Sequence, residues 1–186
     1  SDKLADIQAR LKTDGQHAAV LTLPDSICWL FNIRGSDVAH NPVVLAFAIV
    51  PATGKAELYI DPQRLDAETR AHVAPVAKLL PPKAMAERIA ALKAQGKKVR
   101  LDPETASFWF EMKLGAAAIS RGQDPCILPK AIKSEAEIAG TRAAHIRDGY
   151  AMARFLAWLD DNATSGTLDE ITAVRQLEAF RRETNM

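Results

Sequence analysis

Val43 to Val50 reads VVLAFAIV, a run without a polar side chain, closed off by Asn41-Pro42 before it and Pro51 after it. Its length and β-branched residues favour a strand, and the absence of alternation favours one buried on both faces. A strand of that kind needs structure packed above and below it, which leaves few architectures. The residues before it are equally specific. Asp25 follows Pro24 and suits the N-cap of a short helix. Ile27, Leu30 and Phe31 give that helix an apolar face, and Gly35 is the expected stop. Asp37 and Asn41 are turn formers, and Pro42 drives its predecessor out of helical geometry. The whole run, WLFNIRGSDVAHNPVVLAF from Trp29 to Phe47, therefore reads as helix, polar loop and central strand.

Arg34, Asp37 and Asn41 crowd onto that loop. Polar residues on a loop entering a buried strand can border a ligand. The commoner use is internal: Arg34 and Asp37 as a bracing ion pair, Asn41 capping a turn. Residues 2–14 form an amphipathic helix with Leu4, Ile7 and Leu11 on one face, and Ala18 to Leu23 a short strand. Thr53-Gly54 turns the chain into a strand over Lys55 to Ile60, antiparallel to its predecessor. Helices are expected over Asp66 to Val73, from about Lys83 to Gln95 and from Thr105 to Lys113, with strands over Lys98 to Leu101 and Ala116 to Ile119. Strands alternating with helices give an α/β fold with a mixed β-sheet flanked by helices.

The rhythm changes near Lys130. Ser134 and Glu137 form a capping box for a long helix reaching about Asp161. Its expected inner stripe is Ile138, His145, Gly149, Met152, Leu156 and Leu159. Thr167 and Glu170 form a second capping box before a last helix. A boundary near Pro129 gives a first domain over 1–129 and a second region over 130–186. The last helix lacks a recognisable C-cap, so the chain reads as cut rather than finished.

Composition excludes several classes of function. The formal net charge of +1 gives no large basic excess for nucleic acid. No stretch has the length to span a bilayer as a helix. The start, SDKLADIQARL, reads as a charged amphipathic helix rather than a secretory leader. Cys28 and Cys126 are the only cysteines and read as small core residues in a reducing, cytoplasmic setting. The histidines, His17, His40, His72 and His145, make no H-x-H or H-E-x-x-H pattern, and no complete metal site is expected in this chain. His145 and Asp148 lie three apart on a helix and can share a ligand, or simply form an interface pair. Asp37, Asp61, Asp102 and Glu104 adjoin strands, as in a two-metal nuclease, but Asp61 and Asp102 precede prolines, where Asp is a common strand stop. Phe108-Trp109-Phe110 diverge on a helix and suit packing better than base stacking.

The Trp29–Phe47 run resembles a segment of the three-domain Xaa-Pro aminopeptidases of the creatinase/prolidase "pita-bread" family. The likeness continues in PCILPKAIKSEAEIAGTRAAHIRDGYAMARFLAWLD from Pro125 to Asp160, which looks like the passage into that family's catalytic domain, and in TLDEITAVRQLEAFRRE from Thr167 to Glu183, which resembles its second helix. The resemblance implies a creatinase N-terminal-domain-like, ribonuclease H-like fold over 1–129, followed by the first two helices of a truncated catalytic domain. It implies a parent enzyme that removes the N-terminal residue before proline, using two divalent metal ions, manganese in most members. The ligand motifs of that centre are not in this sequence, so no catalytic or metal residue carries over. Arg34, Asp37 and Asn41 remain as substrate-adjacent candidates. The chain alone is expected to be inactive and structural, to restrict substrate access, and to form a homodimer, with no nucleic-acid or membrane partner. A stand-alone binding or scaffold module is the alternative.

Overall fold

The structure, a computed structural model, describes residues 2–184. It comprises two compact units, one ending at Ala131 and the other beginning at Ile132. In the first unit the strands are β1 (Ala18–Leu21), β2 (Phe47–Pro51), β3 (Ala56–Tyr59), β4 (Ala77–Leu80), β5 (Val99–Leu101) and β6 (Ile119–Arg121). The helices are α1 (Asp2–Thr13), α2 (Pro24–Phe31), α3 (Ala67–Val73), α4 (Met85–Ala94), α5 (Phe108–Leu114) and α6 (Ile127–Ala131). Among the described residues the strands make one six-stranded sheet in the order β4-β3-β2-β1-β5-β6. β2 is antiparallel to both its neighbours, and the remaining pairings are parallel. This is the mixed, helix-flanked sheet the sequence predicts.

Side-chain alternation along the strands sorts the core into two halves. Ala19 and Leu21 of β1, Ala48 and Val50 of β2, and Leu58 of β3 meet Ile7 and Leu11 of α1 and Ile27, Leu30 and Phe31 of α2. Ala18, Val20, Ile49, Tyr59, Val99 and Leu101 meet Met85, Ile89 and Leu92 of α4 and Phe110 and Leu114 of α5. Each fully buried aliphatic side chain stabilises the fold by about 1.5–3 kcal/mol. Tyr59 brings a hydroxyl into the second half, where it donates to Glu57 Oε2 at 2.6 Å. Arg88 Nε donates to the same oxygen at 3.0 Å. Burial and the Glu57 carboxylate push the Tyr59 phenol well above its ordinary range.

Several expected boundaries move. The apolar run enters the ladder only at Phe47, where β2 begins. Val43 and Val44 are buried ahead of the strand, but Leu45 is 52 % exposed, so the run is not doubly buried along its length. α2 starts at Pro24, which places Asp25 in its first turn rather than at its cap. It ends at Phe31, because Asn32 takes the left-handed conformation at φ 51° that Gly35 was expected to supply. Gly35 serves close approach instead. A Cβ there would lie 2.9 Å from Val44 Cβ and 3.0 Å from the Val43 carbonyl oxygen. β4 is an unexpected strand. Its sequence, AKLL, is short and half-polar, and only parallel pairing with β3 organises it. Ala116–Ala118 is a single 3₁₀ turn, with β6 following it.

The second unit holds α7 (Glu135–Asn162) and α8 (Glu170–Thr184). The Ser134/Glu137 capping box forms as expected. At α8, Asp169 rather than Thr167 caps the first turn, its Oδ1 accepting the Thr172 amide at 2.7 Å. Arg181 Nε donates to Asp148 Oδ1 at 2.6 Å, and Arg154 pairs with Glu183.

Gly35→Ala is expected to lower stability by about 1–3 kcal/mol through the clash with Val43 and Val44. Gly140→Ala, at an open position within α7, should raise it by about 0.5–1 kcal/mol. Urea denaturation of the two variants beside the parent chain measures both.

Candidate functional site

The loop between α2 and β2 gathers the polar residues singled out by the sequence, and it does so differently from the expected pairing. Arg34 does not bridge to Asp37. Its Nη1 donates to the Ile33 carbonyl at 2.8 Å and the Cys28 carbonyl at 3.4 Å, so the cation sits over the C-terminal end of α2. Helix carbonyls left without intrahelical partners favour a positive group there. Asp37 instead pairs with Arg64, which follows β3. Its Oδ2 also accepts the Leu45 amide at 2.7 Å. The Arg64 guanidinium and that amide hold the Asp37 carboxyl below its ordinary value of 3.8. Asn41 closes the tip through its backbone. Its amide donates to the Val38 carbonyl at 3.2 Å, and its carbonyl accepts the Val43 amide at 2.8 Å. His40, at the same tip, has φ 60°. The loop is thus fixed at its base by Asp37 while residues 38–42 are exposed.

Beside the base lies an open concavity of about 280 Å³, lined by Asn32, Ile33, Arg34, Glu68, Thr69 and His72. His72 Nε2 lies 3.0 Å from the Phe31 carbonyl oxygen, which ties α3 to the end of α2. Cation, carboxylate and imidazole around a shallow polar recess can orient a peptide backbone or a small anion. They lack the nucleophile–base geometry of a covalent catalyst.

The other candidates are separate. Asp61 caps the turn after β3, its Oδ1 accepting the Gln63 amide at 2.9 Å. Asp102 accepts the Glu104 amide at 3.0 Å and the Asp124 amide at 2.8 Å. Asp148 is engaged by Arg181, and His145 Nδ1 lies 2.8 Å from the Thr141 carbonyl oxygen. Among the described residues no three His, Cys, Asp or Glu side chains gather to hold a metal ion, so these residues do not fit the implied dinuclear centre. No helix there is long and apolar enough to cross a membrane. Cys28 and Cys126 are buried and free. Of the aromatic triplet, Phe110 packs edge-on against Phe47 at 5.8 Å while Phe108 faces outward. Arg64 and Asp124 escaped the sequence reading. Arg64 carries no local signal, since its partner lies far away in sequence. Asp124 had one, because Asp124-Pro125 repeats the Asp61-Pro62 and Asp102-Pro103 punctuation.

The first unit is three-layered, with one antiparallel strand in an otherwise co-directional sheet. The chain belongs to the creatinase/prolidase N-terminal domain family, whose model matches residues 1–137. It is 36 % identical over 190 residues to a probable Xaa-Pro aminopeptidase P of Neosartorya fischeri, covering 97 % of this chain and 29 % of that protein. It is 32 % identical to Xaa-Pro aminopeptidase 1 of Dictyostelium discoideum, covering 98 % and 30 %. The chain therefore spans about three tenths of the length of the relatives it matches. Among solved structures it is similar to an X-prolyl aminopeptidase of Caenorhabditis elegans, described as a cytosolic enzyme with a di-nuclear active site. The TM-score is 0.90 at 30 % identity, over 97 % of this chain and 30 % of that one. An Xaa-Pro dipeptidase of Bacillus anthracis shares the fold, with a TM-score of 0.63 at 16 % identity.

The clamp at Asp37 gives a pH expectation. A carboxyl held below 3.8 in the folded chain adds stability that is complete above 3.8 and lost as pH falls through the folded value. The Leu45 amide resonance should therefore titrate with a midpoint below 3.8, and Asp37→Asn should abolish that titration. A midpoint at or above the ordinary value would contradict the Arg64 pairing.

Proposed function

We propose that this chain is part of an Xaa-Pro aminopeptidase, a hydrolase that removes the N-terminal residue of peptides with proline in second place. The first unit is its middle domain, and α7 and α8 are the first two helices of its catalytic domain. One observation carries this reading: nearly the whole chain superimposes on an X-prolyl aminopeptidase while accounting for less than a third of it. Two divalent metal ions, manganese in this reading, are held by the remainder of the enzyme. When bound there, such ions would activate a water molecule, and no residue of this chain is assigned to hold them. The enzyme is cytosolic, as the nematode protein is described.

In this reading the chain's own work is positional. The loop from Asn32 to Leu45 is rigid at its base and exposed at its tip, which suits a wall that limits how much peptide enters a cleft. Arg34 is the residue best placed to meet a substrate carbonyl or carboxylate. Part of its guanidinium is committed to the α2 terminus and the side chain remains exposed. Asp37 and Asn41 shape the loop that presents it.

The assay is direct. The 186-residue chain, with or without added manganese, is expected to leave an Arg-Pro-Pro peptide intact, whereas a chain extended to the length of the relatives cleaves it. Metal-dependent cleavage by the short chain would overturn the assignment. In the extended enzyme, Arg34→Ala should raise KM several-fold with kcat within about twofold. Unchanged kinetics with lowered stability would confine Arg34 to bracing α2.

The second unit bears on assembly. Leu156, Ile171 and Val174 are more than half exposed, while Met152 and Leu177 are partly covered. Apolar side chains grouped on a helical pair promote association. The 186-residue chain is expected to dimerise, and light scattering that shows only monomer at high concentration would refute this.

A further inference from the structure

Positive φ is used in this chain where the residue suits it, with one exception. Among the described residues five glycines take it, and Asn32 takes it at the C-terminal end of α2, a place suited to asparagine. The exception is His40, at φ 60°. It stands at the tip of the α2–β2 loop, third in a turn closed by the Asn41 amide, which donates to the Val38 carbonyl at 3.2 Å. A third turn residue with positive φ is most stable as glycine, with asparagine next. Histidine there crowds its Cβ against the backbone.

The conformation is held from around it. The Asp37 amide donates to the Val43 carbonyl at 3.2 Å, and the Val43 amide to the Asn41 carbonyl at 2.8 Å. The Asp37 carboxylate takes the Leu45 amide and pairs with Arg64. Pro42 restricts Asn41 beside it. Strained backbone persists where its surroundings over-determine it, and such positions cluster at sites that bind. The side chain does not repay the turn. His40 is exposed, and among the described residues its imidazole has no hydrogen-bond, ion-pair or ring partner. Neither the turn nor the packing calls for an imidazole at this position.

We propose that His40 is a specificity-determining residue, donating a hydrogen bond to the C-terminal carboxylate of a short peptide substrate. This rests on the peptidase reading and on the α2–β2 loop as a wall that limits peptide length. A wall at the length limit meets the far end of the peptide, whose distinguishing group is a free carboxylate. Of residues 38–42, all exposed, His40 and Asn41 carry side-chain donors. Asn41 suits its turn on conformational grounds, which leaves His40. An imidazole N–H donates in either charge state of the ring, and its bond to a carboxylate is stronger than one to a neutral amide. The bracing around Asp37 holds the donor in place before the peptide arrives, which lowers the ordering cost of binding. Arg34 stands at the other end of the loop, beside the α2 terminus, and meets a different part of the peptide.

Two variants and two assays test this. In urea denaturation of the 186-residue chain, His40→Gly should raise the midpoint, because relief at φ 60° outweighs the freedom glycine adds to the unfolded chain. In the chain extended to the length of the relatives, Arg-Pro-Pro is supplied as the free acid and as its C-terminal amide. The parent should cleave the acid with a kcat/KM several-fold above that for the amide. His40→Gly should raise KM for the acid and bring the ratio close to one. His40→Asn, which keeps a donor and tolerates positive φ, should retain part of the preference. A purely structural role predicts the opposite change in stability and an unaltered ratio. The same acid-to-amide ratio in the parent and in His40→Gly would overturn the proposal while leaving the peptidase reading intact, and so would a lowered urea midpoint in His40→Gly. An extended chain that cleaves neither form overturns the peptidase reading and the proposal with it.

Discussion

The packing of helices on both faces of a short sheet is the constraint from which the rest of this structure follows. β1, one of the two central strands, has only four residues, and they alternate Ala18 and Val20 toward α4 and α5 with Ala19 and Leu21 toward α1 and α2. Small residues in half of those places let the helices lie close to the backbone. Although Glu57 within β3 pairs with Arg88, both faces are largely covered by helices, and the strand ends offer room for polar chemistry. The structure uses them accordingly. Asp61, Asp102 and Asp124 all lie just beyond strands at the same edge of the sheet, each receiving a backbone amide from the turn that follows.

The α2–β2 loop is a second consequence. β2 runs against its neighbours, so the chain must travel from the end of α2 to the same edge of the sheet and turn back between Asn32 and Ala46. Asn32 makes the first bend and Gly35 allows the loop to touch Val43 and Val44. Asp37 then couples that bend to the segment after β3 through Arg64. A surface ion pair by itself contributes little to stability. Its value here is geometric, since the same carboxylate also receives the Leu45 amide and so fixes where β2 begins.

The fold was legible where hydrophobic period and punctuation agreed. α1, α4, the β2–β3 hairpin and the capping box at Ser134 were all readable from local pattern, because local hydrogen bonding and one-sided burial produce them. β4 was not, since AKLL becomes a strand only when β3 lies alongside. The polar residues of the candidate loop could be singled out from the sequence, but their partners could not. Arg34 and Asp37 are close in sequence and opposite in charge, which suggests a pair. The helix terminus competes for Arg34, and Arg64 arrives from another strand to take Asp37. Such pairings depend on which loops the topology brings to one edge, and a single sequence contains no term for that.

The second unit follows a different economy. α7 and α8 together bury little. Ala151 and Phe180 are the fully covered hydrophobics among the described residues, with Phe155 and Trp158 stacked at 6.0 Å beside them. Arg181–Asp148 and Arg154–Glu183 fix the register of the two helices, and the Arg154 guanidinium also lies over the Phe180 ring at 4.4 Å. Register is what exposed charge pairs supply best, because they discriminate against a shifted alignment while adding little net energy. A helix as short as the 15-residue α8 is marginal in water without tertiary packing, and the two helices side by side leave Ile146, Tyr150, Leu156, Ile171 and Val174 uncovered. A helical pair so arranged is specified in its alignment but incomplete in its burial. On the peptidase reading, the missing burial is supplied by the same larger body that holds the metal ions, so the helices would be aligned here and stabilised there.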